Sequence, residues 1–145
     1  MILFSSALEL VINNINIMNN LIIDAAKGKI FLTFINNQNI YTSTYQNSKS
    51  NFEKLVILIN DFLKKHKSSI SNIDTIYVNR GPGSFAGIRN SLSVVKAFYL
   101  SKKIDYFCFS FLDFDKLTSI KYEDVPNLCD KFKIKKNLIN PIYLS

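Results

Sequence analysis

The segment Asn79-Arg80-Gly81-Pro82-Gly83-Ser84-Phe85-Ala86-Gly87-Ile88-Arg89 carries the densest set of residues suited to recognition or chemistry. Gly81 and Gly83 let the backbone take positive φ and approach another group closely, while Pro82 fixes the chain between them. Ser84 is suited to cap a helix by accepting from its free N–H groups. A glycine turn at a helix N-terminus can also receive an anion. Three readings compete. A Walker P-loop fails, because no Gly-Lys-Ser/Thr follows the glycines. A dinucleotide fingerprint is matched as Gly81-x-Gly83-x-x-Ala86, although Pro82 is awkward there and little chain follows for a second mononucleotide half. The third reading is a tight structural turn.

Other reactive residues are sparse. A metalloenzyme needs several His, Asp or Glu ligands in register, and the single His66 cannot supply them. No Ser-His-Asp set can be assembled around it either. His66 reads better as a helix-end residue facing the helix dipole. Asp24 reads as a capped strand end, and Asp113/Asp115 and Glu123/Asp124 as solvated charge in a polar tail. Cys108 and Cys129 show no zinc or redox spacing and are expected to be free thiols in a reducing cytoplasm. No catalytic residue, metal or cofactor is therefore assigned.

The elements that position the glycine loop can be read from periodicity. Residues 21–23, 30–35 and 40–45 are β-rich runs joined by two turns, an antiparallel meander. Ser50 and Glu53 form a capping-box pattern opening one helix that runs to about residue 65. Residues 75–78 read as a strand, 85–100 as a second helix, and 105–109 as a final strand. Right-handed crossovers place the last two strands parallel to the first. The expectation is an α/β fold with a mixed five-stranded sheet in ββ-β-α-β-α-β order. From residue 112 onward the chain reads as charged and irregular, with Pro126 and Pro141 discouraging long elements. No apolar run is long enough to span a bilayer, and residues 1–17 make a poor signal peptide.

The string Arg80-Gly81-Pro82-Gly83-Ser84-Phe85-x-Gly87-x-Arg89, continued by residues 91–98, closely resembles the signature of the bacterial TsaB (YeaZ) family. The opening Leu21-Ile22-Ile23-Asp24 and the closing Pro141-x-Tyr143-Leu144 are similar to the family's ends, though Ala25-Ala26 stands where hydroxyl residues are common. The resemblance implies a single actin-like (ribonuclease-H-like) lobe at residues 18–111. Residues 1–17 are then an extension expected to be poorly ordered, with Met18 an alternative start. Residues 112–145 would be a short tail replacing the family's second lobe.

The resemblance also implies a non-catalytic subunit that binds and activates a TsaD-type transferase in tRNA threonylcarbamoylation. A TsaE-type ATPase would join through the complex, tRNA would be touched at most indirectly, and homodimers would form when the partner is absent. The family's bundle of helices places the partner interface on Gly87, Ser91, Val94, Phe98 and Leu58. The alternative is a small nucleotide- or dinucleotide-binding enzyme using residues 81–86.

The net charge of +7 can draw a protein toward nucleic acid or acidic partners. The basic residues are nevertheless dispersed. Lys64-Lys65-His66-Lys67, Lys102-Lys103 and residues 131–136 are the local clusters, more readily explained as solvated lysines on helix ends and tails.

Overall fold

The computed structural model describes residues 18–46, 48–115 and 119–143. The expectation for residues 1–17 lies outside them. Strands β1 (Asn19–Asp24), β2 (Lys29–Asn36) and β3 (Asn39–Gln46) form an antiparallel meander. Strands β4 (Thr75–Asn79) and β5 (Asp105–Phe109) run parallel to β1, giving the sheet order β3-β2-β1-β4-β5. The expected mixed sheet is observed, with β1 to β4 extending one to three residues beyond the runs that periodicity indicated and β5 matching its run.

Period-two alternation sorts the central strands onto two cores. Leu21, Ile23, Ile76, Val78, Tyr106 and Cys108 face one side, where the main helices pack. Ile22, Tyr77 and Phe109 face the other, where Phe114, Val125 and Cys129 cover them. Strands buried on both faces read as continuous apolar runs, as these do.

The single expected helix is two: α1 (Lys49–Glu53) and α2 (Leu55–Lys65), broken at Lys54. Its cap is Ser48, not Ser50, and the Ser48 Oγ accepts from the Asn51 N–H at 3.2 Å. Ser48 holds extended backbone at φ −128°, whereas Ser50 already lies inside the helix. Helix α3 (Phe85–Lys102) is capped by Ser84 and closed by Lys103 in the left-handed region at φ 58°.

The C-terminal part holds no long element among its described residues, but it is more ordered and more buried than its composition suggested. Residues 119–143 include α4 (Val125–Lys131), with Pro126 in its first turn, where a missing N–H costs nothing. Val125 and Cys129 are fully buried against the sheet. At about 1.5–3 kcal/mol for each large apolar side chain buried, this layer is a substantial part of the core. The segment then runs along β5: the Asn137 N–H donates to the Tyr106 carbonyl at 2.8 Å, and the Tyr106 N–H donates to Asn137 Oδ1 at 2.8 Å.

Candidate functional site

The glycine-proline loop lies at the C-terminal ends of β1, β4 and β5, where it launches α3. Gly81 holds φ 108°, and its N–H donates to Asn79 Oδ1 at 2.9 Å. A Cβ at Gly81 would collide with the Ile142 carbonyl, one at Gly83 with the Ala26 carbonyl, and one at Gly87 with the Ala25 carbonyl. The Ser84 N–H donates to the Ala26 carbonyl at 2.9 Å, and the Gly87 N–H to Ser84 Oγ at 3.3 Å. The loop's small residues thus let the chain's own β1–β2 connection and C-terminal segment approach. The N–H groups of Gly81, Ser84 and Gly87 are thus spent internally, which weakens the dinucleotide reading. Pro82 is exposed, and Phe85, 53% exposed, sits with its ring 4.8 Å from that of Tyr143. The Arg89 guanidinium lies 5.9 Å from the Phe85 ring centroid.

Arg80 anchors the loop to the end of β5. Its Nη2 donates to Asp113 Oδ1 at 2.6 Å, its Nε to Asp113 Oδ2 at 3.3 Å, and its Nη1 to the Asn140 carbonyl at 3.1 Å. Asp113 Oδ2 also accepts from the Ser110 N–H at 2.8 Å. The solvated reading of Asp113 is therefore corrected: it is a half-buried ion-pair partner. Asp24 is fully buried; Oδ1 accepts from the Ala26 N–H at 3.0 Å and Oδ2 from the Tyr122 hydroxyl at 2.6 Å. Burial, then the neighbouring Asp24 charge, pushes the Tyr122 hydroxyl well above its ordinary pKa, so it stays a donor. Sequence reasoning could not pair residues 24 and 122, because no local signal links positions so far apart.

Beside these groups is an open cavity of about 400 Å³, lined in part by Lys27, Asn79, Pro82, Ser110 and Phe111. The Lys27 ammonium is 4.6 Å from the Phe111 ring centroid. Among the described residues, no three His, Cys, Asp or Glu side chains converge as metal ligands. His66 stacks on Tyr41 at 4.1 Å and meets the edge of Phe62 at 5.2 Å, an aromatic packing role at the end of α2.

The expected interface residues are only partly available. Gly87, Ser91 and Phe98 are buried inside the chain, while Val94 and Leu58 are half-buried against the core. The small residues do admit a second helix, but it is the chain's own: the Phe52 ring of α1 lies 3.3 Å from where a Gly87 Cβ would be. The Ser91 hydroxyl donates to the Ile88 carbonyl at 3.1 Å within α3. The exposed apolar side chains of this layer are instead Val56 and Ile57 on α2 and Phe85 and Leu100 on α3, the last 69% exposed. A groove of about 540 Å³ runs beside α3, with Arg89, Lys96, Leu100, Ile139 and Tyr143 along it.

A meander followed by two crossover units, with helices on the sheet, defines an actin-like, ribonuclease-H-like α/β lobe. Residues 37–114 match the family model described as "TsaD: tRNA N6-adenosine threonylcarbamoyltransferase", and the chain belongs to that family. Its fold is similar to that of YeaZ from Pseudomonas aeruginosa, at a TM-score of 0.60 and 19% identity over 64% of this chain and 44% of that one. A second structure is equally similar, a protein of Pseudomonas aeruginosa described as uncharacterized with similarity to peptidase YEAZ (TM-score 0.60, 19% identity, 64% and 43% covered). At that identity the likeness is one of fold. The chain spans less than half the length of either. No curated protein matches it. Among the described residues, no helix is long and apolar enough to cross a membrane.

Proposed function

We propose that the chain is an accessory subunit in threonylcarbamoylation of the adenosine beside the tRNA anticodon, binding a TsaD-type transferase and supporting its active state. It supplies no chemistry of its own and acts in the cytoplasm. A TsaE-type ATPase joins through the assembly, and without the transferase the chain pairs with itself. The observation that carries this reading is the uncovered apolar surface of the two-helix layer, with Ile57 at 56% and Leu100 at 69% exposure. Side chains of this kind on neighbouring helices are suited to cover by another polypeptide. The family match supports the chemistry of the assembly, and the YeaZ-like fold supports the subunit's architecture.

The test is co-purification of the transferase with Ile57→Arg and Leu100→Arg. Both positions are exposed, so the fold should persist, and capture should fall roughly tenfold or more. Undiminished capture by both variants would overturn this placement of the interface. The nucleotide-binding alternative predicts tight calorimetric binding of ATP or NADH by the isolated chain; the accessory reading predicts none.

A further inference from the structure

The lysine clusters that are separate in sequence meet at one end of the sheet. Helix α2 descends to Lys64, Lys65 and Lys67, and the His66 between them stacks on Tyr41 near the start of β3. Helix α3 descends to Lys102 and Lys103, which lead into β5 at Asp105. Lys136 reaches the same end through its 3.6 Å contact with Asp105. This is the end at which β1, β4 and β5 begin, opposite the glycine-proline loop. The row extends from β3 to β5, a width of ~20 Å at the usual interstrand spacing.

Three acids share this end, Asp74 in the same hollow as Lys102 and Lys103, too few to neutralise the six lysines. Asp74 accepts from the Asn19 N–H at 2.8 Å, and Asp105 is engaged by Lys136 and by the Asn137 side chain at 2.9 Å. Asp61 lies one turn back along α2. Among the described residues, Lys64, Lys65, Lys67, Lys102 and Lys103 have no ion-pair partner, and all five are exposed. Exposed Asn37 and Asn72, in the β2–β3 turn and just before β4, add amide groups at the same end.

We infer that this end of the sheet is a contact surface for the phosphate backbone of RNA. A broad row of unpaired ammonium groups with interspersed amides suits a run of phosphates and riboses, which lysine and asparagine contact without reading sequence. The inference extends the proposed function by giving the subunit its own grip on tRNA, and rests on that reading for the identity of the RNA. The contact itself does not depend on the helical interface.

The experiment is fluorescence anisotropy of the full chain with a labelled unmodified tRNA across a salt series. Lys64→Gln/Lys65→Gln/Lys102→Gln should weaken binding at least tenfold and lower the salt slope by about three, one per lost phosphate contact. Lys29→Gln/Lys49→Gln/Lys54→Gln, which removes the same charge toward the other end, should change affinity less than twofold. Equal losses in the two variants would overturn the surface, as would no loss in the first. Displacement of tRNA by polyglutamate at matched charge, or tighter binding to vesicles of phosphatidylcholine with phosphatidylserine, would overturn RNA as the occupant. The lysine variant should still co-purify with the transferase, so loss of RNA binding with retained capture separates this inference from the accessory reading.

Discussion

Gly87 of α3 lies directly against the Ala25 carbonyl at the end of β1, with no room for a Cβ between them. The contact fixes how closely the second helix sits on the sheet, and it places the start of α3 beside the glycine-proline loop. Gly87→Ala should therefore lower stability by about 3 kcal/mol, since the obstructing atom is backbone and cannot rotate away. Chemical denaturation midpoints measure this, and an unchanged midpoint would contradict the close approach.

Arg80 and Asp113 should behave as one unit. Their side chains are 15% and 18% exposed, and the pair joins the loop to the turn after β5. Arg80→Ala or Asp113→Ala alone should cost about 2 kcal/mol, with the double variant costing much less than the sum. A double-mutant cycle with coupling near zero would show the contact to be decorative. Arg80→Lys should not restore stability, because lysine lacks the forked donor geometry.

Tyr122→Phe should cost about 1–3 kcal/mol, because it strips a buried carboxylate oxygen of its donor. The loss should shrink when Asp24 is replaced by Asn in the same chain, since the neutral amide is cheaper to leave buried. Equal costs in both backgrounds would refute the pairing of these side chains.

The protein should lose stability at alkaline pH through three buried groups. Burial pushes the Cys108 and Cys129 thiols and the Tyr77 hydroxyl up to about 12. A raised folded pKa means the native state holds its proton longer than the unfolded chain. The contribution is therefore full below about pH 9 and is lost as pH rises from there toward 12. Thermal unfolding followed from pH 8 to about pH 11 should show a falling midpoint, and Ellman's reagent should react with both thiols only after unfolding. Fast reaction in the native protein would contradict their burial.

Val125→Asp should unfold the chain or collapse its solubility, since it places a charge in the core on the second face of the sheet. A folded variant with the parent chain's oligomeric state, by circular dichroism and size exclusion, would show that layer to be dispensable.

Much of the fold was legible because central strands such as β1 and β4 are short apolar runs bounded by turns, and because Ser84 marks the start of α3, whose end at Lys102 lies two residues beyond the one expected. The break at Lys54 was not, since Phe52 and Leu55 satisfy one helical stripe equally well on paper. The glycine loop was correctly placed between strand and helix. Its partners were not legible, because Ala25, Ala26 and Ile142 contribute carbonyl groups, which side-chain identity does not advertise. The burial of Gly87 and Ser91 was hidden for a related reason: small residues announce close approach without saying whose chain approaches, and at Gly87 it is Phe52 and the Ala25 carbonyl of the same chain. Asp113 and Tyr122 were missed because polar residues in a charged stretch look alike whether they face water or a buried partner.

The attachment of Lys136 and Asn137 to β5 has a consequence for how the molecule can associate. With that rim of the sheet partly covered, β3 is the edge that, among the described residues, has no strand on its outer side, and it is the one suited to strand-by-strand growth by another polypeptide. No charged side chain guards β3 between Asn39 and Gln46. Mispairing under stress should therefore begin there, and a single lysine placed at Thr42 or Thr44 would be the economical defence.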